Sequence, residues 1–318
     1  MKPVSCHPSD FGRVAVLMGG ISSEREISLR GGAEVLSDLL KAGVDAFAVD
    51  VGQDALRQLM DAPFDCAFNV LHGGAGENGE IQSVLSLLGK PYTGSGVLAS
   101  ALALDKLRSK LLWKGLSLPT PAWRTPASLD DCRQAMVDLN LPLIIKPSLE
   151  GSSVGISKVE KAEELVSAWA TASQYGPVIA ETFVTGKEVT ASIVGREVLP
   201  LISMSTPRVF YDYEAKYHAN DTHYECPAQL PQAVTEACQQ LALDAFDALG
   251  AHGWGRVDMM LDEQLQPWLI ELNTVPGMTD HSLVPMAARA AHLELADLVL
   301  QILAVTCLPD SHKLGGEQ

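Results

Sequence analysis

Long apolar runs are missing from this 318-residue sequence: no stretch is continuous enough to cross a bilayer. The N-terminus "MKPVSCHPSDFGRVAVLMGG" also lacks a signal-peptide core of adequate length. Cysteine is sparse, with six residues at 6, 66, 132, 226, 238 and 307. They show neither CxxC spacing nor the density of a disulfide scaffold, which points to a reducing cytoplasm. Positive charge is scarce too, 23 Lys+Arg against 39 Asp+Glu, for a net charge of -16 and a pI near 4.8. That balance excludes a broad nucleic-acid or anionic-membrane surface, so any bound phosphate must be held locally by a few lysines and backbone amides. No G-x-x-x-x-G-K-[ST] occurs, which excludes a Walker-type ATP site.

What is present is an ordinary globular composition, 47% apolar and 19% charged, in a chain long enough for two or three domains. The first third alternates as parallel α/β structure does. Apolar strands are expected at 14–18, 46–49 and 66–71, a helix at 23–43, and further helices at 79–89 and 95–115. Ser23 and Glu26 have the spacing of a capping box, which leaves Glu24 near the crevice where open α/β sheets bind ligands. An acidic residue at a helix N-terminus is also favourable for its own sake.

After Pro119 the character changes to a small mixed α+β unit, with short strands in "LPLIIKPS", "SSVGISKV", "PVIAETFV" and "KEVTASIVG" and a helix near 160–174. A third block has a strand at 198–204, an irregular segment with four tyrosines at 205–226, a helix at 231–249, a hairpin and two C-terminal helices. The irregular segment reads as a lid.

Two glycine-rich motifs admit more than one reading. "GAGENG" (74–79) matches the dinucleotide pattern but follows the third strand, without the acidic residue required further on; a glycine turn with His72 facing the crevice is the alternative. "GSSVG" (151–155) matches a hydrolase nucleophile elbow centred on Ser153, yet it runs into strand-like residues instead of a helix. Read as a hairpin turn, its amides and hydroxyls cover phosphates, and with Lys146 at the end of "LPLIIK" it makes a phosphate clamp. A lysine there also snorkels to water.

The hairpin "GRVDMMLDEQLQPWLIELNTVPGMT" (255–279) carries polar residues where a buried hairpin has none. Strand alternation puts Arg256, Asp258 and Met260 on one face. A polar turn at 262–264 allows the register in which Asp258 opposes Glu271 and Arg256 opposes Asn273. Facing carboxylates repel, so a positive charge belongs between them. Oxygen donors without Cys or His suit a hard cation such as Mg2+. A solvated edge hairpin is the plain alternative.

In order along the chain, "VLMGGISSEREISL", "YTGSGVLASALALDKLRSK", "IIKPSLEGSSVG", "FYDYEAKY", "GWGRVDMMLD" and "IELNTVPGMTDHSLVP" resemble the D-alanine:D-alanine ligases of the ATP-grasp superfamily, over nearly the whole chain. The resemblance implies a three-domain ATP-grasp architecture of α/β and α+β parts: an N-terminal open parallel-sheet domain (1–105), a small central domain with the phosphate loop (106–189) and a C-terminal domain with lid and metal site (190–318). It implies ATP and two Mg2+, with Mn2+ as a substitute, held by Asp258, Glu271 and Asn273. By the same resemblance Lys106 and Lys146 would contact phosphates, the turn from Gly151 to Gly155, with Ser153, would close over them, Glu181 would begin the adenine hinge, and Glu188 would take the ribose hydroxyls. The resemblance likewise implies that Glu24 would hold the ammonium of the first D-alanine with His72 nearby, that Arg256 and the Gly277 amide would form the oxyanion hole, that Lys216 and Ser282 would take the second carboxylate, and that Tyr217 and Ser152 would link the lid to Glu24. Thr182, Asn78 and Asp280 depart from the family pattern. Tyr217 stands where makers of the D-lactate ester carry phenylalanine, which favours an amide product. The partners implied are two D-alanine molecules and a second copy of the chain, with no nucleic acid or membrane. Another ATP-grasp amino-acid ligase, a D-alanine:D-lactate ligase, and a serine hydrolase using Ser153 are the competing readings.

Overall fold

The computed structural model describes residues 6–151, 153–205 and 222–307. Three sheets organise it. The first is parallel, in the order β2 (Asp45–Val51), β1 (Arg13–Gly19), β3 (Cys66–Asn69), with α1 (Arg25–Lys41), α2 (Ala55–Asp61) and α3 (Glu80–Leu87) as connections and flank. Its central strand is buried on both faces, as the unbroken apolar run requires. Val14, Val16 and Met18 enter one core and Ala15 and Leu17 another. The expected Ser23–Glu26 capping box does not form. Glu24 is the N-cap of α1 and makes no side-chain cap bond, while Ser22 Oγ accepts from the Glu24 amide at 3.2 Å and donates to the His72 carbonyl at 2.6 Å. The helix start is thereby tied to the loop after β3.

The helix expected at 95–115 is two helices, α4 (Val97–Leu104) and α5 (Lys106–Gly115), broken at Asp105, whose extended backbone and side chain cap the second. The next sheet is antiparallel, in the order β4 (Trp123–Arg124), β7 (Val178–Thr182), β5 (Leu143–Pro147), β6 (Ser157–Val159). Helices α6 (Leu129–Leu139) and α7 (Leu165–Ala172) cover one face, burying Leu143, Ile145, Val159, Val178 and Ala180. By alternation Ile144, Lys146 and Glu181 stand on the other face.

The largest sheet runs β11 (His223–Glu225), β10 (Ile202–Ser205), β8 (Gly186–Val194), β12 (Trp254–Asp262), β13 (Pro267–Asn273), with β9 (Glu197–Val198) paired to β8. The helix Gln232–Ala248 covers Val189, Ala191, Ile193, Val257, Met259 and Leu261. Glu188, Thr190, Arg256, Asp258 and Met260 therefore face away from it. The strand expected at 198–204 is split into β9 and β10, and β11 lies inside the segment read as irregular. The body of that segment, 206–221, lies outside the described residues. The boundary expected at 189/190 falls within β8, because the ladder with β12 runs from Gly186 to Val194; the two antiparallel sheets part instead at 183–185. The last helices, Leu283–Ala290 and Leu295–Cys307, close over the parallel sheet, and Cys307 Sγ lies 2.8 Å from Cys66 Sγ on β3, both as free thiols. No single helix among the described residues is long and apolar enough to cross a membrane.

Candidate active site

Between the uncovered faces of the two antiparallel sheets lies a cleft of about 370 Å³. Ile144 and Ile156 line one wall; Met204, Met260 and Ile270 line the other; Phe183 and Val184 close the end where the chain crosses between sheets. This apolar slot suits a flat ring, and its polar groups are few and placed. Lys106, Lys146, Glu150, Ser153, Glu181, Glu188, Asp258 and Glu271 also border it.

The hairpin at the floor has the expected register at its polar end, with Arg256 opposite Asn273 and Asp258 opposite Glu271. Beyond them it shifts by one, Met259 facing Leu269, so Ile270 is an extra residue on β13. That bulge lets two consecutive residues, Ile270 and Glu271, both reach the cleft, which strict alternation forbids. The positive charges beside the two carboxylates are supplied by the chain itself. Arg256 donates to both Asp258 oxygens, at 2.8 and 2.7 Å, while Thr190 Oγ1 and Asn273 Nδ2 donate to the same carboxylate at 2.7 and 3.0 Å. Lys106 Nζ sits 3.0 Å from Glu271 Oε2 and donates to the Glu150 carbonyl at 2.8 Å, so it joins β13 to the loop that begins at Gly151.

Deeper in, Glu181 Oε2 receives two ammonium groups, Lys110 at 2.8 Å and Lys146 at 3.1 Å, and all three side chains are at least 96% buried. Burial pushes the Glu181 carboxyl up, but the two lysines more than offset that and hold it below the usual carboxylate value. Burial likewise pulls Lys110 down to about 8, opposed by Glu181 and reinforced by Lys146. Sequence reasoning named Glu181 and Lys146 and missed Lys110. The available signal was its spacing: Lys106 and Lys110 lie four apart on one helix, an unfavourable like-charge pair unless anions meet that face.

The amino-acid end lies at the N-terminal sheet. Glu24 faces two glycine turns at once: a Cβ on Gly73 would come within 2.6 Å of its Oε2, and one on Gly151 within 3.7 Å. His72 is buried, with Nδ1 3.6 Å from Glu77 Oε1 and Nε2 without a hydrogen-bond partner. Gly277 and Ser282 are close, since a Cβ at Gly277 would meet Ser282 Oγ at 2.8 Å, and that hydroxyl accepts from the Thr279 amide at 3.0 Å. Arg256, one of the two expected oxyanion-hole groups, is turned onto Asp258 of its own strand. Ser152, Lys216 and Tyr217 lie outside the described residues.

The "GSSVG" turn joins β5 to β6, a strand-to-strand connection unlike the strand-to-helix turn a nucleophile elbow needs. "GAGENG" is a short helical turn whose Gly76 carbonyl is held by Asn69 and Gln82 at 3.1 and 2.8 Å, the structural turn and not a dinucleotide loop. As a metal site, the floor offers two carboxylates and an amide; among the described residues no three Asp, Glu, His or Cys side chains converge. That set fits Mg2+, which takes one or two carboxylates and completes its shell with phosphate and water, and does not fit a closed protein cage.

Comparison with known proteins places this geometry. The family model described as D-ala D-ala ligase C-terminus matches residues 112–304, and that described as D-ala D-ala ligase N-terminus matches 52–95. A D-alanine--D-alanine ligase of Pseudomonas putida (strain GB-1) is 55% identical over 295 residues, 92% of this chain and 93% of the relative, and one of Nitrosococcus oceani is likewise 55% identical over 295 residues. Among solved structures, the D-alanine--D-alanine ligase of Bacillus anthracis superposes with a TM-score of 0.80 at 33% identity, covering 92% of this chain and 96% of that one. The VanG D-Ala:D-Ser ligase of Enterococcus faecalis also gives a TM-score of 0.80, at 26% identity over 92% of this chain and 98% of that one. With two family models along most of its length and relatives at more than half identity, the chain belongs to the D-alanine:D-alanine ligase family.

Proposed function

We infer that the protein joins two D-alanine molecules at the expense of ATP, giving D-alanyl-D-alanine, ADP and phosphate for peptidoglycan synthesis. The observation that carries this reading is the cleft itself, with an apolar slot at one end and Lys106, Lys146, Asp258 and Glu271 at the other, in a chain of this family. A structure of the Bacillus anthracis enzyme is described as complexed with ATP, and this chain matches it with a TM-score of 0.79 at 30% identity over 92% of its length.

A carboxylate is a poor electrophile, so the first D-alanine is activated by taking the γ-phosphoryl group of ATP, and the amine of the second then attacks the acyl carbon. The slot walls stack the adenine, Glu181 and the backbone of 182–184 meet its edge, and Glu188 takes the ribose. Lys106 and Lys146 lie along the triphosphate path and the turn at 151–155, with Ser153, covers it. Asp258, Glu271 and Asn273 would hold two Mg2+ or Mn2+, which when bound neutralise charge on the transferring group. Arg256 and the Gly277 amide meet the oxyanion that develops as the amine attacks. Glu24, with His72, binds the first D-alanine; Ser282 and Lys216 bind the second; Tyr217 and Ser152 would link the lid to Glu24. Exclusion of water protects the acyl phosphate. A three-domain division, homodimerisation and a cytoplasmic location complete the reading. The three separate sheets, exposed Leu87 and Leu98 on α3 and α4, and six unpaired cysteines support these in turn.

Supplying ATP, a divalent cation and D-alanine, and assaying ADP, phosphate and dipeptide, tests the assignment. Absence of D-alanine-dependent phosphate release from folded protein refutes it. Competing D-lactate and D-serine against D-alanine addresses the second subsite, where dipeptide is the expected main product.

A further inference from the structure

Lys110 takes no part in the chemistry described so far, yet it is the most deeply buried charge in the protein's described residues, at 0% side-chain exposure. It lies on α5, one turn beyond Lys106. Its ammonium reaches Glu181 Oε2 at 2.8 Å and donates to Thr120 Oγ1 at 2.6 Å; that hydroxyl donates onward to the Leu269 carbonyl at 2.9 Å. The same Glu181 oxygen meets Lys146 at 3.1 Å. The result is an unbroken polar chain from β13, two residues before Glu271, through α5 to β7 and β5. It links the two opposite walls of the cleft. Filling space does not require an ammonium, because a leucine or methionine fills the same volume without the desolvation cost of a buried charge.

We propose that Lys110 is a positioning residue for the nucleotide: by sharing the Glu181 carboxylate with Lys146 and tying it through Thr120 to β13, it fixes the spacing between the adenine-side and metal-side walls and leaves Lys146 donors aimed at phosphate. Without Lys110, Glu181 has one counter-ion left and draws Lys146 onto itself, away from the triphosphate path. This rests on the cleft being the nucleotide site. Electrostatics alone sets the direction: one anion shared by two cations holds each less tightly than an anion with one.

The test compares Lys110→Met with the unaltered enzyme by steady-state kinetics and by calorimetric binding of a non-hydrolysable ATP analogue with Mg2+, after circular dichroism confirms folding. The expected result is a rise of about tenfold or more in KM for ATP and in analogue Kd, with KM for D-alanine and kcat at saturating ATP within about threefold. ATP KM and analogue Kd within about twofold of the unaltered values overturn the proposal, and so does a fall in kcat without change in ATP KM. Should Lys110→Met fail to fold, Thr120→Val cuts the link to β13 while keeping every charge; it is expected to raise ATP KM about threefold, and an unchanged ATP KM overturns the proposal. Lys146→Met separates the two levels: if it too leaves analogue binding intact, the nucleotide-site reading has failed, whereas loss of binding in Lys146→Met alone refutes only the role of Lys110.

Discussion

Arg256, Asp258, Thr190 and Asn273 form one hydrogen-bonded unit on the cleft floor, so no member acts alone. Arg256→Met removes the donor assigned to the developing oxyanion; kcat is expected to fall about 10²- to 10³-fold, roughly 2.7 to 4 kcal/mol, with ATP binding by calorimetry little changed. Retention of full kcat excludes that role. The Lys110–Glu181–Lys146 group gives a pH prediction whose sign follows from linkage. Lys110 falls to about 8 in the folded protein from the ordinary 10.5, so between those values the unfolded chain binds more protons and stability rises with pH through this group. Urea titrations across that window are expected to show unaltered enzyme gaining on Lys110→Met as pH increases. Glu181 is depressed instead, so its contribution is present above the ordinary carboxylate range and is lost as pH falls through its folded value. Asp258, Glu271 and Lys146 were visible as candidates because polar residues interrupt or end apolar strands, whereas Glu181 was named only through the family resemblance. Lys110 was not, because a lysine on a helix is ordinarily solvated and only its fold neighbours make it exceptional.

The periodicities that define strands and helices were legible wherever one face is apolar, as in β1, α1 and the helix Gln232–Ala248. Helix α6 escaped notice although Ser128 caps it, its hydroxyl accepting from the Asp131 amide at 3.1 Å, and Cys132 and Ala135 form its buried stripe. The stripe is small and short, so its apolar signal is weak. Ser128→Ala is expected to cost about 1 kcal/mol, seen as a lower urea midpoint at unchanged slope. A loss near zero means that the cap is dispensable and packing alone holds the helix. The split of 95–115 at Asp105 and the bulge at Ile270 were also illegible, because both are local breaks in pattern that only a partner demands. Asp105 turns to accept from Ser148 on the phosphate-loop side, at 3.0 Å, and the bulge turns Glu271 toward Lys106.

At the scale of the whole molecule, the cores do not follow the linear order of the chain. One core joins Val14, Val16 and Phe68 to Ile202 and to Leu298 and Ile302 of the last helix, so the N-terminal sheet and the C-terminal part share their interior. The central sheet has a core of its own, drawn only from residues between Cys132 and Ala180. A fragment ending at residue 105 is therefore expected not to fold alone, giving a collapsed amide proton spectrum; a dispersed, native-like spectrum refutes this. In hydrogen exchange the central unit is expected to open independently, and to gain protection when a nucleotide analogue with Mg2+ spans the cleft, by about 2.7 kcal/mol at a hundredfold excess over Kd. The sequence by itself determined most of the strongly periodic elements and the kinship of the chain, and it allowed the register that sets Asp258 against Glu271, because these depend on side-chain period and on ordered motifs. Only the tertiary structure decided that two sheets turn their uncovered faces to one another, that Lys110 reaches Glu181 and that Thr190 reaches Asp258, because each depends on groups far apart in the chain whose meeting is set by how whole layers pack.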